Sequence, residues 1–226
     1  MWTVFTLPVR EPYARPVADA IPRPYHHGDL RSALVRAGAE LAHEGGLAAL
    51  TLRETTRRAG VSVGAAYRHF ANLEDLTVAV GAVALSDMAR AIERRQDAVD
   101  ASDERERWLA MLRGVGLGYI DFALDDPGAF EVGMFGLLTL GHTDVASSRG
   151  DRGRTPYEML VDAVGHLIEL GVVSPERAAA VTIMCWSTVH GYATLATRGP
   201  LRDQPRAVLD EQAAAVVESV VAGLSA

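Results

Sequence analysis

Residues 51–70 concentrate side chains that are suited to contact with a charged partner. The segment reads TLRETTRRAGVSVGAAYRHF, with Ser62 before a run of small residues and Tyr67, Arg68 and His69 after it. A helix that begins with small residues can approach base edges in the DNA major groove, while polar side chains at its ends reach the phosphates. The chemistry indicated is noncovalent recognition of duplex DNA.

Two short helices and a tight turn are needed to position these side chains. Thr51 is expected to cap the first helix and Ser62 the second, with Gly60 at the sharp bend between them. The apolar positions expected to pack the two helices together are Leu52, Ala59, Val61, Ala66 and Phe70. A glycine turn between helices also occurs in helical proteins that bind no DNA, so this spacing alone leaves both interpretations open.

The rest of the chain shows helical periodicity and no competing strand pattern. Asp29 is expected to cap a helix that ends at Gly45 and Gly46, and Asn72 to open a long helix that leaves the small domain. Further helices are expected over 108–122, 156–170, 175–197 and 206–224, with a mobile surface loop over 139–154. The predicted fold is all-α: a flexible arm (1–24), a three-helix helix-turn-helix DNA-binding domain (25–80) and a larger helical bundle for ligand binding and dimerisation (81–226).

Charge is distributed unevenly along the 226 residues. The net charge is −7, yet residues 1–80 hold 9 arginines against 8 acidic residues, whereas residues 81–226 hold 13 against 21. Only the first part can approach phosphate without strong repulsion. The single cysteine, Cys185, excludes an internal disulfide and a multi-cysteine metal site. With no long apolar stretch and no secretory signal pattern, the sequence predicts a cytoplasmic protein without membrane segments.

The sequence from residue 25 to about 80 resembles the DNA-binding domain of TetR-type transcriptional regulators. The segments that carry the resemblance are AGVSVGAAYRHFANLEDL and, before it, YHHGDLRSALVRAGAELAHEGG. The resemblance implies a homodimer that binds a palindromic operator, more often as a repressor. It also implies that Thr51 binds a phosphate, that Arg53 reaches phosphate or base, that Ser62, Val63, Gly64 and Ala65 face the bases, and that Tyr67 and His69 hold the DNA backbone.

Two positions depart from the family pattern. Thr55 and Thr56 replace an apolar-alanine pair, and their hydroxyl groups are expected to bond back to the preceding helical turn. Leu73 stands where a lysine commonly opens the fourth helix. The missing cation predicts a weaker salt dependence of DNA binding.

A second, looser resemblance covers the larger domain. CWSTVHGYATLATRG resembles the Trp-x-x-x-His-Gly signature of one TetR branch, with Trp186, His190 and Gly191 as the matching residues, and DPGAFEVGMF resembles the segment that precedes it. Trp186 and His190 share a helix face, so the indole is expected to pack under the imidazole. The candidate pocket residues are Trp108, Tyr119, Phe122, Phe130, Met134, Trp186 and His190, which suit an apolar or aromatic effector. The same aromatics would equally form a ligand-free core.

Several alternatives remain open at this stage. Dimerisation is expected through a stripe on the last helix (Leu209, Ala213, Val216, Val217, Val220 and Leu224) with Thr188, Gly191 and Leu195, unless that stripe packs within its own chain. A metal-responsive regulator would use His142, Asp144, His166 and His190, and a ligand-independent regulator is a further option. No cofactor is predicted. An enzyme is the least favoured function, because the side chains of Cys185 and His190 would lie roughly 140° apart around a helix, which is unsuitable for a nucleophile and its base. Arg10, Arg15 and Arg23 either enter a minor groove or form a leader without a role.

Overall fold

The computed structural model describes residues 27–136 and 148–224, and all regular elements in those ranges are helical. This confirms the all-α class. The elements are α1 (His27–Ala49), α2 (Leu52–Arg58), α3 (Val63–Ala66), α4 (Leu73–Asp97), α5 (Glu104–Asp125), α6 (Pro127–Glu131), a π-helical turn (Val132–Gly136), α7 (Pro156–Glu169), a 3-10 turn (Pro175–Arg177), α8 (Ala178–Thr197) and α9 (Arg206–Ala222). No described helix is long and apolar enough to cross a bilayer.

α1 is interrupted near its carboxyl end. Gly45 and Gly46 both leave helical geometry, and Gly46 has a φ of +61°, which a residue with a side chain rarely adopts. The predicted end of the first helix therefore appears as a kink, after which the helix continues to Ala49. The start lies at His27, two residues before the expected Asp29 cap.

A small apolar cluster unites the N-terminal helices. Leu34 of α1, Phe70 after α3, and Leu76 and Val80 of α4 are all buried in it. Val132, from the π-helical turn far along the chain, completes the same cluster. The segment after α5 is thus packed into the core of the N-terminal helices.

A larger apolar cluster occupies the other helices, α4 to α9. Met88 and Ile92 of α4, Ile120 of α5 and Leu167 of α7 are fully buried there. Because α4 contributes to both clusters, its 25 residues form a continuous rod of about 37 Å that joins them.

Two elements differ from expectation. α3 ends at Ala66 rather than continuing to Phe70, because the chain tightens into a turn in which the His69 amide N–H donates to the Ala66 carbonyl oxygen (2.9 Å). The stripe on α9 packs into the core of its own chain: Leu209, Ala213, Val217 and Leu224 are buried there, and Val216 and Val220 lie against it. Leu209, Ala213, Val217 and Leu224 are therefore not available for the expected dimer contact.

Part of the predicted loop 139–154 is held on α4. The buried carboxylate of Glu93 accepts the amide N–H groups of Asp151 (3.0 Å) and Arg152 (2.8 Å), and Ser86 donates to the Arg149 carbonyl oxygen (2.7 Å). These bonds satisfy the buried carboxylate and fix residues 149–152 against the helix. Residues 139–147 and the arm 1–24 lie outside the described residues.

Candidate nucleic-acid interface and ligand cavity

The helix-turn-helix has the predicted caps. The Thr51 hydroxyl accepts the Glu54 amide N–H at the start of α2, and the Ser62 hydroxyl accepts the Ala65 amide N–H at the start of α3, both at 3.2 Å. Gly60 has a φ of +69°, and the Val61 amide N–H donates to the Thr56 carbonyl oxygen (3.0 Å) to close the turn. A side chain at Gly60 would be strained in this conformation.

The polar pair on α2 is fully satisfied inside the core. The Thr55 hydroxyl donates to the Thr51 carbonyl oxygen (2.8 Å) and the Thr56 hydroxyl to the Arg53 carbonyl oxygen (2.9 Å). Both side chains are buried. The expected bonds to the preceding turn are confirmed, and they explain how threonine replaces apolar residues here without an unpaired buried hydroxyl.

One edge of α3 faces solvent and the other faces the core. Val63 and Tyr67 expose 40% and 55% of their surface, although both are large, and a Cβ added at Gly64 would meet no described atom within 4 Å. Ala65 and Ala66 are buried. The predicted contact residues that lie exposed are Thr51, Arg53, Ser62, Val63, Gly64, Tyr67 and Arg68; His69 is half-buried, and the Ala65 side chain is the one turned inward.

The arginines around this edge differ in their partners. Arg57 donates to Glu54 (Nε to Oε2, 2.9 Å), and Arg58 donates through both terminal nitrogens to Glu44 (2.6 and 2.7 Å). Arg53 and Arg68 have no carboxylate within ion-pairing distance among the described residues. The charge available to an external anion is therefore concentrated at Arg53 and Arg68.

The start of α4 lies beside this edge and is acidic. Asn72 caps the helix by accepting the Asp75 amide N–H (2.8 Å), and the Asp75 carboxylate accepts the Ala71 amide N–H (3.0 Å). Leu73, where a lysine is usual, is exposed. The helix terminus thus presents an apolar side chain and carboxylates, with no cation of its own in the first turn.

The larger bundle contains a partly open cavity of about 460 Å³. Tyr119 of α5, Met134 of the π-helical turn and Trp186 of α8 are the predicted pocket residues that line it. The sequence missed the other walls: Leu85 and Met88 of α4, Tyr157 of α7, Cys185 of α8, and Val217, Val220 and Val221 of α9. Several of these residues fall in apolar stretches of the sequence, but periodicity and composition do not show that a void lies among them.

The other four predicted pocket residues lie outside the cavity lining. Trp108 stacks on His166, with ring centres 3.7 Å apart, and Phe122 is buried in the bundle. Phe130 is fully buried, with its ring centre 5.7 Å from that of Tyr119 and 5.9 Å from that of His190. Phe130 and His190 thus form a layer behind the cavity wall.

A hydrogen bond links that layer to the cavity. The Tyr119 hydroxyl, on the cavity wall, lies 2.8 Å from His190 Nδ1. The indole of Trp186 packs against Tyr157, at 5.6 Å between ring centres. His190 instead has ring contacts with Tyr119, Phe130 and Phe135 rather than with the indole expected to pack under it.

Burial keeps the ionisable groups near the cavity uncharged, with one exception. Burial raises the pKa of the Tyr119 hydroxyl, lowers the pKa of His190, and raises the pKa of the Cys185 thiol to about 11. Glu158 differs, because the Thr155 amide N–H (2.8 Å) and Arg149 (2.6 Å) both donate to its carboxylate and lower its pKa. Its negative charge is already compensated by Arg149.

The segment from α6 to the π-helical turn touches both the cavity and α1. Gly133 and Met134 line the cavity, whereas Asp126, which caps α6, accepts from His43 of α1 (2.9 Å). The hydrogen bond to Asp126 and the attraction of its negative charge raise the pKa of His43. The cavity wall is therefore joined to the N-terminal helices through a few residues of backbone.

The residues suggested for metal binding are not brought together where they can be located. His166 bonds to Glu169 (3.1 Å) on the surface of α7, whereas His190 faces Tyr119 inside the bundle. His142 and Asp144 lie outside the described residues. Within residues 27–136 and 148–224, no group of three or more His, Cys, Asp or Glu side chains has metal-binding geometry.

A solvent-facing helix-turn-helix attached to a helical bundle with an internal cavity defines a class of DNA-binding regulators. The chain belongs to the TetR family. Residues 34–80 match the family described as bacterial regulatory proteins, tetR family, and residues 112–220 match the tetracyclin repressor-like C-terminal domain. Together these matches cover more than half of the chain.

Solved structures share the fold along most of the sequence. A protein of unknown function from Rhodococcus sp. RHA1 is 26% identical, with a TM-score of 0.66, covering 91% of this chain and 100% of its own. A TetR variant from Acinetobacter baumannii AYE, in complex with minocycline, is 19% identical, with a TM-score of 0.59, covering 84% and 93%. FadR from Bacillus subtilis, in complex with stearoyl-CoA, is 16% identical, with a TM-score of 0.59, covering 85% and 98%. No curated protein matches the sequence significantly.

Proposed function

We propose that the protein is a cytoplasmic, homodimeric repressor whose affinity for a palindromic operator falls when a small apolar or aromatic ligand occupies the cavity. The observation that carries the proposal is the continuity of α4, which begins beside the exposed edge of α3 and lines the cavity with Leu85 and Met88. Leu85 lies about 18 Å along the helix from Leu73. A movement of α4 at the cavity would therefore displace the recognition edge.

In the DNA-bound state, Ser62, Val63 and Gly64 would face the bases and Ala65 would set how closely the backbone approaches. Thr51, Tyr67, Arg68 and His69 would contact phosphates, and Arg53 phosphate or base. Seven of these nine residues are exposed, which supports this arrangement. Phosphate contacts fix the register of the protein on DNA, and the contacts of α3 to base edges would select the sequence.

A second copy of the chain would bind through the outer face of α8. Ile183, Met184 and Leu195 are exposed apolar side chains on this helix, and a Cβ at Gly191 would meet nothing within 4 Å in the part of the chain that the structure describes. With the exposed small residues of α9, such as Ala214 and Ala215, this face is suited to a four-helix bundle between subunits. The spacing of Trp186, His190 and Gly191 also supports membership of the branch whose C-terminal domain carries a Trp-x-x-x-His-Gly motif.

Ligand and operator would be linked through two conformations of the dimer. The ligand lowers operator affinity only to the extent that it binds the released conformation more tightly than the DNA-bound one. The minocycline and stearoyl-CoA complexes of structural relatives support a ligand role for this bundle in the fold. They do not transfer their ligands to this chain.

Selection of bound duplexes from a random DNA pool tests the DNA-binding part. We expect an inverted repeat whose half-sites lie one helical turn apart, about 34–36 Å, because each subunit would present one recognition edge. A single unrepeated half-site would contradict the dimer. A pool that shows no enrichment would contradict sequence-specific binding.

The cavity wall indicates an uncharged ligand. Glu158 is compensated by Arg149, the Tyr119 hydroxyl is hydrogen-bonded to His190, and burial lowers the pKa of His190. Among the described lining residues, a charged ligand would lose its hydration without gaining an unpaired partner, which costs several kcal/mol. The preferred class is therefore neutral and apolar, with at most one or two hydrogen-bonding groups.

A matched pair of compounds tests this preference. We expect 2-naphthalenemethanol to raise the melting temperature and 2-naphthoate at pH 7.5 to leave it unchanged, measured by differential scanning fluorimetry. Val220→Phe, which fills the cavity from α9, should abolish the shift, whereas Val161→Phe on the exposed face of α7 should keep it. Equal shifts with both compounds, or a shift that survives Val220→Phe, would contradict a neutral ligand in this cavity.

A further inference from the structure

We infer that Arg31 of α1 is a further phosphate-binding residue, which Phe70 positions at the edge of the DNA interface. The inference rests on the DNA-binding function proposed above. The guanidinium carbon of Arg31 lies 5.1 Å from the centre of the Phe70 ring. Phe70 is buried in the N-terminal cluster, whereas Arg31 is exposed. The ring is thus a fixed support for a cation that faces solvent.

The charge of Arg31 is not compensated by the protein. Among the described residues, no carboxylate lies within ion-pairing distance of Arg31, and its ring contact with Phe70 is an interaction with an uncharged group. Arg57 and Arg58 of α2, by contrast, are paired with Glu54 and Glu44. The available charge around the helix-turn-helix therefore includes a third arginine, on a helix outside the α2–α3 unit.

The ring contact prepares Arg31 for an anion. A guanidinium held against an aromatic face loses part of its rotational freedom before binding, while its N–H donors at the edges remain available. Those donors can bind two oxygens of one phosphate at once. The Arg31 side chain therefore loses less conformational entropy when it binds DNA.

Arg31 lies against Phe70, the residue that follows the segment of the proposed backbone contacts. Phe70 follows Tyr67 and Arg68, which are exposed, and comes three residues before Leu73. The first turn of α4 contributes the carboxylates of Glu74 and Asp75 and no cation. A phosphate that passed this terminus would be repelled by those carboxylates, and Arg31 supplies the opposite charge from the neighbouring helix.

Salt titration of operator binding with the full chain tests the inference. We expect Arg31→Ala to weaken binding about tenfold or more at 0.1 M salt. It should also make the slope of log K against log salt shallower by about 0.9 per subunit, or roughly 2 for a dimer. Arg31→Lys should keep the slope, because lysine binds phosphate as a point charge. Fluorescence anisotropy with the selected duplex measures both quantities.

The control is Arg94→Ala. Arg94 is likewise exposed and has no carboxylate partner among the described residues, but it lies in the last turn of α4, about 30 Å along the helix from Leu73. Its removal should leave the slope unchanged. An equal effect of both variants would overturn the inference in favour of a general charge effect. A lower melting temperature for Arg31→Ala with an unchanged slope would show that Arg31 only packs on Phe70. If the wild-type chain selects no operator, the proposed function itself fails.

Discussion

Gly128 is the residue at which α6 meets the backbone of α1. A Cβ at this position would overlap the carbonyl oxygen of Ala42 and crowd the carbonyl oxygen of His43. Neither obstacle is a flexible side chain, so the two helices would have to separate. The absence of a side chain at Gly128 therefore sets how closely the cavity segment approaches the N-terminal helices.

Gly128→Ala should lower the free energy of unfolding by about 1–3 kcal/mol, because overpacking against backbone forces the helices apart. Gly165→Ala is the matched control in α7, where an added Cβ meets no atom within 4 Å. That variant should raise stability by about 0.5–1 kcal/mol through the better helix propensity of alanine. Urea unfolding of both variants measures the difference. Similar effects of the two substitutions would contradict the close approach.

At the residue scale, the sequence predicted local interactions well. The caps at Thr51 and Ser62 and the hydroxyl bonds of Thr55 and Thr56 depend on neighbours within four residues, which spacing reveals. The role of Arg31 depends on a ring 39 positions away, a contact that no local pattern encodes.

Among the elements, the contact between α1 and α6 includes a titratable pair. Asp126 caps α6 through one carboxylate oxygen and accepts from the exposed ring of His43 through the other. The hydrogen bond and the attraction of Asp126 raise the pKa of His43, and Glu44 adds a smaller contribution. Protonated His43 therefore holds the two helices together better than neutral His43 does.

The sign of the pH dependence follows from this raised pKa. The contribution is fully present below the unfolded pKa of about 6.5 and is lost as the pH rises through the higher folded value. We expect the melting-temperature difference between wild type and His43→Gln to be largest near pH 5.5. The difference should vanish at a pH well above the folded pKa of His43. A difference that is constant with pH would exclude a contribution from protonated His43.

Helical periodicity predicts where the helices lie more reliably than it predicts which other helices they pack against. The stripe on α9 was correctly expected to be buried, but the sequence could not show that α5 and α8 of the same chain cover it. A stripe that packs within the chain and one that packs between subunits have the same period. The sequence also predicts a longer α3 than the structure has, because the turn at Tyr67–His69 contains no glycine or proline that would mark the end of the helix.

The whole molecule combines an α2–α3 edge, where Arg53 and Arg68 lack a carboxylate partner among the described residues, with an acidic bundle. The net charge is −7, and many arginines outside the helix-turn-helix are paired with carboxylates, as in Arg95–Asp121, Arg113–Glu218 and Arg206–Asp125. Repulsion between the bundle and DNA would orient the chain so that the α2–α3 edge faces the duplex. The charge imbalance between the two parts was visible in the sequence, whereas the pairing of individual arginines required the fold.

The cavity is the feature that sequence reasoning captured least. Three of the seven predicted residues line it, and its walls come from five helices and the π-helical turn that are distant along the chain. A void depends on how helices fail to fill the space between them, which composition does not report. The link from this cavity to α1 through α6, and to α3 through α4, is likewise a property of the assembled molecule.

The most direct test of the account compares the dissociation constants of the full chain for its selected duplex and for a scrambled duplex of the same length and composition. The protein is first freed of bound small molecules by denaturation and refolding, so that it is in the DNA-binding conformation. At about 0.15 M salt, we predict that the selected duplex binds at least 1,000-fold more tightly. Equal affinity for the two duplexes, even at low ionic strength, would contradict the claim that the α2–α3 edge recognises DNA sequence.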